Sequence, residues 1–192
     1  MGVETAGIVL AAGAGRRYGL PKALIAYPRR LLVQHAADTL REAGLSRRVV
    51  VLGAQAERVR AAAPDLPETV VNPDWPSGLG SSLRVGLAAL AGTPAGAAVV
   101  LLVDMPGVTP DAVRRIAAHA ARDALVMGGY GDRRGHPVLL GRDHWPGVAG
   151  AATGDRGARD YLRTHAEAVR VVEVGDVADD HDIDTPEANP HA

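Results

Sequence analysis

Residues 6–22 read AGIVLAAGAGRRYGLPK, and this stretch joins an apolar run to a loop of small residues. The apolar part is typical of a buried β-strand. In the loop, Gly13 and Gly15 permit backbone angles with φ above zero and allow a ligand to approach the backbone closely. Exposed backbone N–H groups, together with the positive charges of Arg17 and Lys22, suit phosphate oxygens. The stretch therefore predicts a phosphate-binding loop at the end of a strand.

Two common phosphate loops do not fit this pattern. The dinucleotide fingerprint G-x-G-x-x-G requires a glycine where the chain has Tyr18, and an acidic residue after the second strand, where the chain has Gly53. The P-loop requires Gly-Lys followed by a hydroxyl residue, whereas Lys22 lies between Pro21 and Ala23. The pattern that remains is L-A-A-G-x-G-x-R-x-G-x-P-K. A tight strand-to-helix turn with two surface arginines is the alternative to a binding loop.

Composition limits the class of protein. The chain has 192 residues, a length that predicts one domain. Hydrophobic residues make up 47% of it but Phe is absent, so we expect a core of Ala, Val and Leu. A net charge of −1 argues against a nucleic-acid partner, and the absence of Cys excludes disulfides and thiolate chemistry. No long apolar span or signal sequence is evident, so we expect a cytoplasmic protein without a membrane partner.

Short apolar runs alternate with segments of helical periodicity. We predict strands at 6–11, 48–52, 69–71, 98–103, 125–128, 137–140 and 168–174, and helices at 31–43, 55–62, 81–91, 110–122 and 157–165. This alternation predicts an α/β fold, with a three-layer α/β/α arrangement around a mostly parallel sheet. The stretch 128–156 is expected to form loops around one or two strands. The tail after Asp184 is expected to fray, apart from a turn that begins at Pro186.

Acidic residues occur at two places that could bind a cation. Asp104 directly follows the most apolar strand, and the carboxyl ends of parallel strands form the ligand crevice of such sheets. Thr109 already provides a cap for the next helix, which leaves Asp104 free for another role. Asp182 and Asp184 are two positions apart and would share a face of an extended segment. Together these carboxylates could hold one Mg²⁺, although a solvated acidic tail is the alternative for the second pair.

Two further groups of residues follow predicted strands. Asn72, Gly78, Ser81 and Ser82 lie after the third strand, where they could form a second backbone nest or simply cap a helix. Arg134, His136 and Arg156 lie in arginine-bearing loops that could clamp an acceptor phosphate. Exposed surface loops are the alternative for the two arginines.

Taken together, these strings resemble the molybdenum cofactor nucleotidyltransferases, and above all their cytidylyltransferase branch. The resemblance is carried by residues 6–22, 72–75, 102–106, 134–137 and 182–186. It implies a Rossmann-like nucleotidyltransferase fold in one domain over 1–192, with 1–104 mainly nucleotide-binding and 105–192 mainly acceptor-binding.

The resemblance also implies roles for individual residues. It implies Mg²⁺ ligation by Asp104 and Asp184, and catalytic roles for Arg17, Lys22 and Asp104. The nucleotide-binding residues it implies are Leu10, Ala11, Ala12, Gly13, Gly15, Arg17, Lys22, Asn72, Gly78, Ser81 and Ser82. The acceptor would contact Arg134, His136 and Arg156.

The implied reaction transfers a nucleoside monophosphate from an NTP to the terminal phosphate of a molybdenum-pterin cofactor and releases pyrophosphate. CTP is the favoured donor because Ala12 stands where the guanylyltransferase branch has glycine. A client molybdoenzyme is the further partner that such a role implies. Tyr18 departs from the methionine that is usual in the family loop.

Three alternatives remain open from the sequence. The first is a guanylyltransferase of the same cofactor. The second is a nucleotidyltransferase for another phosphorylated acceptor, such as a sugar phosphate or phospholactate. The third is a non-catalytic nucleotide-binding module that delivers a cofactor to a partner enzyme.

Overall fold

The first strand, β1, lies near the middle of the central sheet because its side chains are apolar on both faces. A computed structural model describes residues 2–189 and 191, so positions 1, 190 and 192 of the predicted domain lie outside the described residues. The strands within the described residues are β1 (Thr5–Ala11), β2 (Ala26–Tyr27), β3 (Arg30–Leu31), β4 (Arg48–Leu52), β5 (Glu68–Val71), β6 (Ala97–Leu102), β7 (Leu125–Tyr130), β8 (Arg133–Gly141) and β9 (Val169–Glu173).

The α-helices of the same part of the chain are α1 (Leu32–Glu42), α2 (Ala56–Ala62), α3 (Leu79–Leu90), α4 (Pro110–Ala117), α5 (Trp145–Ala151) and α6 (Arg159–Thr164). Thr109 caps α4, as the sequence predicts: its Oγ1 accepts a hydrogen bond from the Ala112 N–H at 3.3 Å. None of these helices combines the length and the apolar character that crossing a lipid bilayer would require.

The central sheet has seven strands in the order β5-β4-β1-β6-β8-β7-β9. β1 pairs in parallel with both β4 and β6, β4 pairs in parallel with β5, and β7 pairs in parallel with β9. β8 is the exception, since it runs antiparallel to both of its neighbours, β6 and β7. The prediction of a mostly parallel sheet is confirmed.

Helices cover both faces of this sheet. Val9 and Ala11 of β1 pack in a core with residues of α1, α2 and α4. Ile8 and Leu10 face the other way and pack with residues of α3, α5 and α6. The three-layer α/β/α arrangement is therefore confirmed, with a core of small aliphatic side chains. The division into a nucleotide-binding half and an acceptor-binding half stays a prediction.

The stretch 128–156 is more regular than predicted. β8 extends over nine residues, and α5 follows it. α5 is rich in Gly and Ala, and its position is set by tertiary contacts: buried Trp145 donates a hydrogen bond from Nε1 to the Leu140 carbonyl at 2.9 Å. Such a segment carries little helical periodicity, which is why the sequence did not indicate it. The small β2–β3 hairpin was also not predicted, and α4 ends at Ala117 rather than at 122.

The segment after Asp184 packs against the body of the protein, so the prediction of a fraying tail is wrong as far as Asn189. The turn at Pro186 is present as a 3₁₀ helix over Pro186–Ala188. Asn189 is buried and donates hydrogen bonds from Nδ2 to the Tyr18 hydroxyl at 3.2 Å and to the Ala26 carbonyl at 3.3 Å. These contacts hold the C-terminal segment beside the loop that follows β1.

Candidate active site

The loop after β1 is shaped by one glycine and left open at another. Gly15 has φ of +60°, and a Cβ at this position would lie 1.9 Å from the Leu20 carbonyl oxygen. The Gly15 carbonyl accepts hydrogen bonds from the N–H groups of Tyr18 and Gly19 at 3.0 and 2.8 Å. At Gly13, by contrast, a Cβ would meet nothing within 4 Å. Gly15 therefore closes the turn, while Gly13 leaves room for a ligand against the backbone.

Lys22, at the end of this loop, lies between two aspartates. Its Nζ is 2.6 Å from Oδ2 of Asp104 and also donates a hydrogen bond to Oδ1 of Asp184. Arg17 contacts the other carboxylate oxygen of Asp184 at 3.0 Å. The Lys22 and Asp104 side chains retain only 16% and 20% of their exposure, so this pair is much less screened by water than a surface ion pair.

The backbone connects the two distant acidic segments. The Ile183 N–H donates a hydrogen bond to the Asp104 carbonyl at 2.8 Å, and the Ile183 side chain is buried in the core. The residues on either side of Ile183 are Asp182 and Asp184, whose carboxylates thus reach the edge of the sheet beside Asp104. The predicted metal ligands, Asp104 and Asp184, are therefore brought together by the fold.

Three carboxylates are close enough to share one divalent cation. One oxygen each from Asp104, Asp182 and Asp184 lies within 4.8 Å of the others. Such a set of oxygen ligands suits Mg²⁺, which binds through one or two carboxylates, phosphate oxygens and water at about 2.1 Å. Asp182 joins the two predicted ligands, Asp104 and Asp184, in this group. The sequence indicated this possibility because Asp182 and Asp184 are two positions apart. The donor set fits the predicted metal, although the ligand roles themselves stay predictions.

The charges of this cluster stabilise one another. Burial would lower the pKa of Lys22, but the opposing effect of Asp104 and Asp184 is larger, so its pKa is raised. The hydrogen bond from Lys22 lowers the pKa of Asp184, and the positive charges of Lys22 and Arg17 act in the same direction against burial. At neutral pH these shifts favour a charged ammonium group on Lys22 beside an ionised carboxylate on Asp184.

The predicted nucleotide-binding residues after β5 form a buried polar network. Asn72 is buried, and its Nδ2 donates hydrogen bonds to the hydroxyls of Ser81 and Ser82 at 2.7 and 3.0 Å. Its Oδ1 accepts one from the Asp74 N–H at 3.0 Å. Gly78 has φ of +111°, and a Cβ there would lie 2.5 Å from the Gly154 backbone. The network shapes the start of α3, and direct contact of these residues with a nucleotide stays a prediction.

A cavity of about 560 Å³ lies between helices α3 and α6 and the face of the sheet that they cover, along strands β6, β7 and β8, and it extends to Met105 next to Asp104. The three predicted acceptor-binding residues, Arg134, His136 and Arg156, all line it. Arg159 and Arg163 on α6 line it too, although neither was among the predicted acceptor-binding residues. The aliphatic part of the wall includes Leu10, Val100, Leu102, Met105, Met127 and Leu140.

His136 is held in one orientation within this wall. Its Nδ1 lies 3.1 Å from the Val100 carbonyl, so Nδ1 carries the hydrogen and Nε2 is left as an acceptor. Burial lowers the pKa of His136, which keeps the imidazole neutral at physiological pH. The Tyr130 hydroxyl donates a hydrogen bond to the His136 carbonyl at 2.6 Å and so steadies the backbone here.

Comparison with known proteins agrees with this geometry. Residues 7–169 match the family model described as MobA-like NTP transferase domain. A curated relative, nicotine blue oxidoreductase from Paenarthrobacter nicotinovorans, is 39% identical over 190 residues, which cover 94% of this chain and 92% of that protein.

Solved structures are also similar to this chain over most of its length. The crystal structure of Rv0371c from Mycobacterium tuberculosis H37Rv has a TM-score of 0.85 at 33% identity and covers 98% of this chain and 96% of its own. A second structure of Rv0371c, with a TM-score of 0.77 and 94% coverage of both chains, is described as a complex with manganese. A nucleotidyl transferase from a Methanothermobacter species has a TM-score of 0.76 at 25% identity, with 88% and 87% coverage. The glycine loop, the acidic cluster and these likenesses agree, and the chain belongs to the MobA-like NTP transferase domain family.

Proposed function

We propose that this protein transfers a nucleoside monophosphate, with CTP as the favoured donor, to the terminal phosphate of a molybdopterin-type acceptor and releases pyrophosphate. The observation that carries the proposal is the meeting of Lys22, Asp104 and Asp184 beside an open glycine loop. A cation site next to a loop suited to phosphates is the arrangement that nucleotidyl transfer needs. A non-catalytic binding module would not need the carboxylate cluster.

The reaction needs no covalent protein intermediate. A phosphate oxygen of the acceptor attacks the α-phosphorus of the NTP in line, the bond from that phosphorus to the β-phosphate oxygen breaks, and pyrophosphate leaves. A phosphate monoester is already anionic near neutral pH, so a general base is not required. Lys22 and Arg17 would bind the triphosphate and offset the negative charge that builds up on the departing pyrophosphate.

A divalent cation, proposed to be Mg²⁺, would be held by Asp104 and Asp184, with Asp182 close by, and would supply charge neutralisation at the phosphates. The neutral Nε2 of His136 and the arginines of the cavity would orient the acceptor. Positioning of the two substrates next to each other supplies much of the rate enhancement in such reactions.

The choice of nucleotide is proposed to depend on Ala12. This residue is buried, and its carbonyl accepts a hydrogen bond from the Ala54 N–H at 2.9 Å, so its position is firmly set. In this proposal its methyl group would fill space that a glycine would leave open, which would favour a pyrimidine over the larger purine. Ala12→Gly is expected to raise the use of GTP relative to CTP.

Pyrophosphate release from CTP or GTP, with Mg²⁺ and a panel of phosphorylated acceptors, tests the proposal. Asp104→Asn should lower the rate at least about a hundredfold, which corresponds to several kcal/mol of barrier. Asp111→Asn, which changes an exposed carboxylate that pairs with Arg114 and not with Lys22, is the matched control and should retain activity. Near-normal turnover in the Asp104 variant would refute the metal role.

A second candidate function is an oxidation–reduction reaction. It is favoured by the 39% identity to a relative named nicotine blue oxidoreductase, together with the aliphatic wall of the cavity. Against it, Tyr18 and Gly53 break the dinucleotide fingerprint that nicotinamide cofactors often use. Oxidation of NADH or NADPH in the presence of nicotine blue, without release of pyrophosphate from any NTP, would favour this candidate instead.

A further inference from the structure

The C-terminal segment, residues 177–189, is attached at one end to the loop that follows β6. The Asp179 N–H donates a hydrogen bond to the Gly107 carbonyl at 3.0 Å, and the Ile183 N–H donates one to the Asp104 carbonyl at 2.8 Å. A Cβ at Gly107 would lie 2.7 Å from the Asp179 carbonyl oxygen, so the two stretches of backbone are in close contact. This attachment sets the position of the segment on the side of Asp104.

The other end of the segment is attached to the glycine loop through Asn189. This side chain is buried, and its Oδ1 accepts a hydrogen bond from the His191 N–H at 3.0 Å. Its Nδ2 is thereby directed to the Tyr18 hydroxyl at 3.2 Å and to the Ala26 carbonyl at 3.3 Å. The Tyr18 ring also packs against the core, so its hydroxyl oxygen is a fixed acceptor. The glycine loop and the end of the segment are therefore joined by a hydrogen bond between two neutral side chains.

Asp184 lies between these two attachments and is also joined to the glycine loop by charge. Lys22 and Arg17 both contact its carboxylate. A triphosphate in the loop would compete for these two positive groups, and a divalent cation would compete for the carboxylate. The hydrogen bond between Tyr18 and Asn189 carries no charge that either ligand would attract. It is therefore the connection between loop and segment that remains when cation and nucleotide are both bound.

We propose that Tyr18 and Asn189 are positioning residues, whose hydrogen bond holds Asp184 in place against the glycine loop while the loop binds a nucleotide. The proposal rests on the proposed function, since that function places a cation at Asp184 and an NTP in the loop. Ordering two chain segments costs free energy on binding, and a bond between the segments lets the first ligand meet part of that cost for the second. The hydrogen bond should therefore strengthen the coupling between cation and nucleotide binding.

The test measures the affinity for Mn²⁺ by calorimetry with and without CTP, and takes the ratio of the two values. Association of Mn²⁺ with CTP in solution is the same for every variant, so it cancels when variants are compared. Tyr18→Phe removes the acceptor oxygen and keeps the ring, and it should lower the ratio about threefold or more, as expected for one hydrogen bond. Asn189→Ala should do the same, and the double variant should show no larger effect than the larger single one. Tyr161→Phe, which removes a hydroxyl that contacts His144 at 2.9 Å, is the matched control and should leave the ratio unchanged.

A purely structural role would weaken Mn²⁺ binding equally with and without CTP, so an unchanged ratio in Tyr18→Phe would overturn the proposal. Additive effects in the double variant, or a parent protein in which CTP does not alter the affinity for Mn²⁺, would overturn it too. Urea unfolding checks the fold of each variant, and Tyr18→Phe decides alone if Asn189→Ala does not fold. The readout needs no turnover. A ratio that falls as expected, in a protein that releases no pyrophosphate from any NTP, would refute the proposed function and leave the positioning role standing.

Discussion

Lys22 Nζ lies 2.6 Å from Oδ2 of Asp104, although 82 positions separate the two residues, and the same ammonium group contacts Asp184. The lysine thus occupies the space between the carboxylates that we propose as metal ligands. In this arrangement it balances their negative charge. A cation entering the cluster would meet this ammonium group, and a triphosphate in the glycine loop would offer it a new partner. Binding of metal and nucleotide should therefore support each other.

The first prediction concerns the competition between Lys22 and a metal ion. Lys22→Met removes the positive charge and keeps much of the side-chain length. It should tighten binding of Mn²⁺ in the absence of nucleotide by about fivefold or more, because removing one charge at about 4 Å changes the free energy by ~1 kcal/mol even with water-like screening. The same variant should bind CTP more weakly. Calorimetric titration measures both effects.

Arg122→Met, far from the cluster, serves as the control for this change and should leave both affinities unaltered. Equal or weaker Mn²⁺ binding by the Lys22 variant would mean that the lysine does not compete for the cation site.

The second prediction separates the two glycines of the loop. Gly15→Ala places a Cβ against the Leu20 carbonyl at a positive φ, and it should lower the free energy of unfolding by about 1–3 kcal/mol. Gly13→Ala meets no atom within 4 Å, so it should leave stability within about 0.5 kcal/mol of the parent. It should nevertheless weaken binding of CTP, because the new methyl group would occupy the approach to the backbone.

Urea unfolding and nucleotide titration of both variants check this pair. Unchanged CTP affinity in Gly13→Ala would show that the triphosphate does not rest on this part of the loop.

The third prediction concerns the buried network after β5. Asn72→Ala leaves the hydroxyls of Ser81 and Ser82 without a donor in a buried place, so it should destabilise the protein by about 1–3 kcal/mol. Ser77→Ala removes only exposed hydrogen bonds to Asp74 and should cost about 0.5 kcal/mol or less. The two values can be compared by chemical denaturation. Similar values for the two variants would show that the network adds little to stability.

The fourth prediction concerns pH. Burial, aided by the charges of Asp180, Asp179 and Glu173, raises the pKa of Tyr130 to about 12. Because the folded state favours the protonated phenol, this contribution to stability is fully present below the pKa of about 10 of an unfolded tyrosine. It is lost as the pH rises toward 12. An ultraviolet titration should show a late phenolate step that is missing in Tyr130→Phe. If the late phenolate step is still present in Tyr130→Phe, that step does not belong to Tyr130 and the prediction is wrong.

Local sequence patterns were sufficient to predict most of the strands, the helices and the parallel sheet. The apolar runs of β1 and β6 indicate strands buried on both faces, and the glycine loop and Asp104 follow them directly in the chain. Strand–helix alternation then predicts the parallel sheet, since each parallel connection requires a crossover. The predicted strand at 137–140 is part of β8, but its extension back to Arg133, its antiparallel direction and the helix α5 were not predicted, because these Gly-rich and Arg-rich sequences have little periodicity and their conformations depend on packing against distant residues.

What the amino-acid order alone determined is thus the set of elements and the polar residues that follow them, because both depend on neighbours within a few positions. Only the tertiary structure decided that Lys22 stands between Asp104 and Asp184, through the hydrogen bond that ties Ile183 to the end of β6. Only the tertiary structure likewise brought arginines of β8 and α6 around one aliphatic cavity. Contacts of this kind join residues far apart in the chain, so they depend on how whole elements pack and leave no periodic trace in the sequence.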